Sequence, residues 1–135
     1  MPNSIKYKIV FVDDEDTMRK MYASCLSKTG FIVYDFANAI GDFVGKVAKI
    51  KPDLISLDVI MQGRTGFETI KLLKEDNRTK DIPVFFLTNL SDPKDRQEGV
   101  ALGAVGYLVK AQHIPSEVAE KYIKYLETHR KQKSS

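Results

Sequence analysis

Asp13 with Asp14, then Asp58, Thr88 and Lys110, stand directly after four short, mostly apolar runs at residues 9–12, 54–57, 84–87 and 107–109. Three of these groups are carboxylates, one is a hydroxyl and one an ammonium. Carboxylates gathered in one place repel one another, so a site built from them needs a cation to relieve the charge. Oxygen donors without thiolate or imidazole select a hard ion such as magnesium. A carboxylate beside such an ion is able to attack an activated phosphoryl group and form an acyl phosphate. The ion and Lys110 would then neutralise charge on the equatorial oxygens. Thr88, with its short hydroxyl, is suited to hydrogen-bond one of them.

These groups meet only if the elements carrying them end on one edge. Apolar runs alternate with amphipathic segments five times, the pattern of a parallel sheet covered by helices on both faces. The run at 9–12 shows no polar alternation, as expected of a strand buried on both sides. Met18, Met21, Tyr22, Cys25 and Leu26 then recur at helical spacing, with Asp16 or Thr17 to cap the start and Gly30 to end the helix in a left-handed conformation. A second strand over 31–36 leads to a helix turning Ile40, Phe43, Val44 and Val47 inward, with Asn38 as its cap. Gly41 and Gly45 weaken that helix by up to about 1 kcal/mol each relative to alanine. The third strand delivers Asp58, followed by a helix burying Phe67, Ile70 and Leu73. After Thr88, Asp92-Pro93 reads as a cap with proline in the first turn of a helix reaching Gly103. The fifth strand ends in Lys110, and the last helix, from near Pro115, buries Val118, Tyr122, Tyr125 and Leu126. In an open parallel sheet the strands' carboxyl ends share one edge, where ligands bind at the topological switch.

Length and composition fit one domain. The chain has 135 residues, of which 43% are hydrophobic and 29% charged, enough for a core beneath an ordinary charged surface. The expected boundaries are a domain over 5–130, with short tails at 1–4 and 131–135. The net charge of +3 comes largely from the two ends, and no internal helix gathers basic residues as a nucleic-acid reader would. Cys25 is the sole cysteine, so no internal disulfide forms. No apolar run approaches the roughly 20 residues of a membrane span, and the start lacks a secretory leader; a cytoplasmic location is expected. His113 and His129 lack partners at ligand spacing and read as surface residues. No dinucleotide or P-loop glycine motif is present.

Taken singly, Asp13 to Asp16 suit helix capping, Asp58 a strand-end turn and Lys110 a solvated surface. Taken together, with every acid at a carboxyl end, they do not. Residues 12–15 (Val-Asp-Asp-Glu), 57–61 (Leu-Asp-Val-Ile-Met), Gly66, Thr88 and 103–110 (Gly-Ala-Val-Gly-Tyr-Leu-Val-Lys) resemble the response-regulator receiver family of two-component signalling. The resemblance runs over about residues 6–128 and rests on the joint order of the motifs, each of which is common alone. It implies a flavodoxin-like α/β fold, a doubly wound five-stranded parallel sheet of order 2-1-3-4-5 with five helices. It implies Asp58 as phosphoacceptor, with Asp13, Asp14, Asp58 and the Ile60 backbone carbonyl holding Mg2+, Lys110 binding phosphate, and Thr88 and Tyr107 as a switch pair. Phosphorylation would draw the Thr88 hydroxyl inward and open space for the Tyr107 ring. Such a protein catalyses only its own phosphorylation and dephosphorylation. Its partners would be a sensor histidine kinase or histidine phosphotransfer protein, and a downstream protein on the face of the fourth helix, fifth strand and fifth helix.

Three positions depart from the family's habit and leave every reacting group in place. Gln62 stands where proline often follows the methionine, Asn89 follows the threonine, and Ala111 replaces the proline after the lysine. A non-proline cis bond costs about 2.5–4 kcal/mol, so the Lys110–Ala111 bond, which in the family's Lys-Pro form is typically cis, is expected to be trans. Two rival readings differ in class. A haloacid-dehalogenase-type phosphatase would use a D-x-D-x-[TV] motif, which residues 14–18 approach but end in Met18; its cap segment is missing. A pseudo-receiver, acting by binding alone, would normally lose an acid, the threonine or the lysine.

Overall fold

Strands without polar alternation demand cover on both faces, and a computed structural model, describing residues 6–134, shows how it is supplied. The strands are β1 (Lys8–Val12), β2 (Ile32–Phe36), β3 (Leu54–Leu57), β4 (Val84–Thr88) and β5 (Gly106–Val109). They form one parallel sheet of order β2-β1-β3-β4-β5, as expected. The helices are α1 (Asp16–Lys28), α2 (Phe43–Ile50), α3 (Gly66–Glu75), α4 (Pro93–Ala101) and α5 (Pro115–Ser134), with a 3-10 turn at Lys110–Gln112. Helix α5 runs on to Ser134, through most of the expected tail; the tail at 1–4 and Ser135 lie outside the described residues.

The period-2 geometry of each strand splits its side chains between two cores. Val10, Val12, Ile55, Leu57 and Phe86 join Phe43, Val47, Ile70 and Leu73 beneath α2 and α3. Ile9, Phe11, Leu54, Phe85 and Leu87 join Tyr22, Leu26, Val118 and Tyr122 beneath α1 and α5. Burying one such side chain contributes about 1.5–3 kcal/mol, so the two layers hold the strand ends in register.

The helices differ from expectation at several points. Helix α2 starts at Phe43 with Asp42 as its cap, the carboxylate accepting from the Gly45 amide at 3.0 Å. Gly41, at φ 65°, turns the chain before the helix begins. Asn38 caps a local turn instead, accepting from the Ile40 amide at 3.1 Å, and Ile40 points outward, 49% exposed. A β-carbon at Gly45 would collide with the Asp42 carboxylate, which explains a glycine inside a helix. Helix α1 is entered through Glu15, which makes no side-chain cap. Its apolar stripe is narrower than the spacing suggests: Tyr22 and Leu26 are buried, Cys25 is half-buried and Met21 is exposed. Gly30 does take a positive φ, and the Asp92 cap accepts from the Lys94 amide at 2.9 Å. Helix α4 stops at Ala101, and Gly103 lies just beyond at φ 109°. No helix among the described residues is long and apolar enough to cross a membrane.

Candidate functional site

Because the strands run parallel, their carboxyl ends finish side by side. Val12 pairs with Leu57, Leu57 with Phe86, and Thr88 with Val109, so the residues that follow leave the sheet at one level. The Asp58 amide still donates to the Val12 carbonyl at 3.1 Å, fixing the acid beside Asp13.

The ammonium of Lys110 closes the cluster. Its Nζ donates to Asp13 Oδ2 at 2.6 Å and to Asp58 Oδ2 at 3.0 Å. Asp13 is 1%, Asp58 8%, Lys110 7% and Thr88 1% exposed, so these charges meet away from bulk water. Each carboxylate is held a second time by main chain. Asp13 Oδ1 accepts from the Glu15 amide at 2.9 Å, and Asp58 Oδ1 from the Ile60 amide at 3.3 Å. Asp14 stands at the exposed rim, where its Oδ2 accepts from the Gln62 amide at 3.3 Å. Two buried carboxylates thus share one ammonium, leaving excess negative charge of the kind a hard cation relieves. The donors are all oxygen, which suits magnesium. Among the described residues no three acids form a ready-made ligand cluster, and Asp14 accepts from the Gln62 amide.

Thr88 and Tyr107 are joined through one residue. The Leu90 amide donates to Thr88 Oγ1 at 3.3 Å, and the Tyr107 hydroxyl donates to the Leu90 carbonyl at 2.9 Å. Tyr107 is 2% exposed. Arg96 of α4 lies over the ring, 5.6 Å from its centroid. Gly99 lets α4 approach, since a β-carbon there would meet the Phe86 and Tyr107 rings at 3.0 and 3.1 Å. Gly66 has a similar role: a β-carbon would strike the Asp58 carbonyl oxygen, and its amide donates to the Val59 carbonyl at 2.8 Å. The described residues contain no cis peptide bond, so Lys110–Ala111 is trans and winds directly into the 3-10 turn.

Several contributors escape a reading of strand ends. Arg19 donates to the Asp13 carbonyl at 2.9 Å, to Asp16 at 2.6 Å and to Asp35 at 3.2 Å, bracing the loop that carries the first acids. Its only sequence signal is the i,i+3 spacing from Asp16. Asp16, the second acid of the phosphatase-like motif, is therefore a helical ion-pair partner away from the cluster. Ser56 and Tyr122 share a buried 2.7 Å hydrogen bond that ties β3 to α5 under the site. His113 and His129 are half-buried, and His129 stacks on Tyr125 at 3.9 Å.

Alkaline pH is expected to unfold the protein. Burial pushes the Tyr107 phenol up to about 12, and it raises the Tyr22 and Tyr122 phenols too. At Lys110 burial alone would lower the ammonium, but the bonds and charges of Asp13 and Asp58 outweigh it and the net direction is upward. In each case the folded state keeps a proton that the unfolded chain loses near pH 10. This stability is complete below about pH 10 and falls as pH rises through the folded values. The urea midpoint should drop between about pH 9 and about pH 11, with tyrosinate absorbance appearing as the fold opens. A constant midpoint would contradict the burial of these phenols.

Comparison with known proteins gives one consistent result. The family model described as the response regulator receiver domain matches residues 9–121. The chain is 37% identical over 103 residues to the phosphate regulon transcriptional regulatory protein PhoB of Klebsiella pneumoniae, covering 76% of this chain and 44% of that protein. It is 40% identical over 103 residues to the transcriptional regulatory protein YvrH of Bacillus subtilis, covering 76% and 42%. The chain thus spans less than half the length of these relatives. Among solved structures, the chemotaxis protein CheY4 of Vibrio cholerae superposes with a TM-score of 0.80 at 32% identity, covering 89% of this chain and 98% of that one.

Proposed function

The chain belongs to the response regulator receiver domain family, and from that premise we propose that Asp58 accepts a phosphoryl group from a phosphohistidine on a sensor kinase or phosphotransfer protein. The observation that carries this reading is the buried Lys110 ammonium bridging Asp13 and Asp58 at 2.6 and 3.0 Å. In the transfer an Asp58 carboxylate oxygen attacks phosphorus while the phosphorus–nitrogen bond to the donor imidazole breaks, its electron pair returning to the ring. Lys110 is placed to attract the phosphoryl oxygens as they arrive, and the Thr88 hydroxyl to donate to one of them. Asp13, Asp14, Asp58 and the Ile60 carbonyl are the groups that would hold magnesium. When bound, that ion supplies further neutralisation of charge on the transferring group. The burial of Asp13, Asp58 and Lys110 keeps these attractions strong by excluding water.

The test is incubation of the protein with magnesium and acetyl phosphate, then borohydride reduction and peptide mass spectrometry. One acid- and base-labile phosphoryl group is expected before reduction, and homoserine in place of Asp58 in its peptide afterwards. A group found only on other peptides would refute the assignment.

Phosphorylation is proposed to reach partners through Leu90. Donating to a phosphoryl oxygen would draw the Thr88 hydroxyl inward, away from the Leu90 amide from which it accepts, and the Leu90 carbonyl holds the Tyr107 hydroxyl. A contact present in one state only is what shifts a population. Beryllofluoride, a phosphoryl mimic, should therefore shift amide resonances across residues 88–128, including α4, β5 and α5, where a downstream protein would dock. Shifts confined to Asp58 and its neighbours would exclude this route.

A further inference from the structure

The loop between β3 and α3 presents a main-chain donor to a carboxylate that the proposed function assigns to the cation. Gln62 N–H donates to Asp14 Oδ2 at 3.3 Å, and both residues are exposed. The aim of this amide is set by bracing around it. Before it, the Ile60 amide is anchored on Asp58 Oδ1. After it, the Arg64 amide donates to the Gln62 carbonyl at 3.0 Å. Gly63 takes φ 85°, where a β-carbon would strike the Ile40 side chain. The Arg64 guanidinium donates to the carbonyls of Ala39 and Gly41, fastening this loop to the one before α2.

We infer that the Gln62 main-chain amide is a positioning group for Asp14, holding its carboxylate at the rim so that a divalent cation engages it against the pull of this donor. The inference rests on the reading of Asp14 as a cation ligand. The amide draws on the charge of the same carboxylate and fixes its position, so the bond weakens cation binding. The Gln62 side chain has no part in this: Gln62→Ala keeps the amide, whereas Gln62→Pro removes it. Loss of one exposed hydrogen bond to a charged acceptor should tighten cation binding about threefold to tenfold.

Magnesium chloride titrated into the isotope-labelled full chain, followed by amide resonances, tests both layers. In the parent protein the Gln62 amide should shift along the same saturation curve as Asp13, Asp14 and Asp58. Gln62→Ala should match the parent affinity, and Gln62→Pro should bind about threefold to tenfold more tightly. Proline also constrains the backbone, so an amide-to-ester replacement at position 62, made by semisynthesis, provides the second arm and should tighten binding equally. Unchanged or weaker binding in both replacements, or a Gln62 amide that stays still while Asp13 and Asp58 shift, overturns the inference and leaves the cation reading standing. Absence of shifts at Asp13, Asp14 and Asp58 in the parent protein overturns both.

Discussion

Lys110→Met is expected to destabilise the fold by about 3–5 kcal/mol and Asp58→Asn by close to nothing, although both lose phosphoryl uptake. In the parent protein two buried carboxylates share one ammonium. Methionine removes the cation and leaves Asp13 and Asp58 facing each other with only the Glu15 and Ile60 amides as donors. Breaking a buried pair from one side strands the remaining charge, hence the large cost. The melting temperature should fall on the order of 10 °C. The Asp58→Asn substitution acts in the opposite sense. It removes one of the two like charges, keeps an acceptor for the Ile60 amide, and leaves Lys110 paired with Asp13 at 2.6 Å. Uptake from acetyl phosphate should vanish in Asp58→Asn and fall by about a hundredfold or more in Lys110→Met, the scale seen when a preorganised charge-stabilising donor is lost. Calorimetry with the labelling assay separates the two. Equal destabilisation by both variants would mean that Lys110 does not balance the pair.

The strand-end chemistry was legible because it depends on two simple signals. An apolar run without alternation marks a strand buried on both sides, and the polar residue after it must emerge at the carboxyl edge. Asp13, Asp58, Thr88 and Lys110 all satisfy both, and the sheet register brings them level. What stayed hidden belongs to the backbone or to exact helix phase. Ile40 fits the helical spacing, but the positive φ of Gly41 ends the periodicity before α2 begins. Met21 shares the helical stripe of α1, yet the buried part is only wide enough for Tyr22 and Leu26. Gln62 could enter the sequence reading only as a departure from a proline, because a main-chain amide has no side-chain signature. The Thr88–Leu90–Tyr107 chain is likewise carried by peptide groups of a residue whose side chain is only apolar.

Ile60→Asn and Leu90→Glu are each expected to shorten the life of phosphorylated Asp58 by about tenfold, and together by about a hundredfold. We propose, from the resemblance to the receiver family, that these two residues, each two positions after Asp58 or Thr88, would flank the path of the hydrolytic water. Hydrolysis needs a water held in line with the phosphorus–oxygen bond, and a side chain that hydrogen-bonds that water lowers the barrier by positioning it. Neither isoleucine nor leucine can donate or accept. Ile60 is 61% exposed, with its amide fixed on Asp58 Oδ1, so its side chain stands at the mouth of the site. Leu90 is half-buried against the core, on the residue that links Thr88 to Tyr107. One well-made hydrogen bond contributes up to about 1.5 kcal/mol, and each 1.4 kcal/mol of barrier is tenfold in rate, which sets the expected scale. Because Ile60 is exposed, Ile60→Asn should leave stability unchanged and give the cleaner measurement. The parent phosphoprotein is accordingly proposed to lose its group slowly, suiting a relay or a sustained output. Phosphate release from purified phosphoprotein checks this, with the labelled fraction followed over time for the parent, each single variant and the double. If Ile60→Asn releases phosphate no faster than the parent, the apolar rim does not set the lifetime.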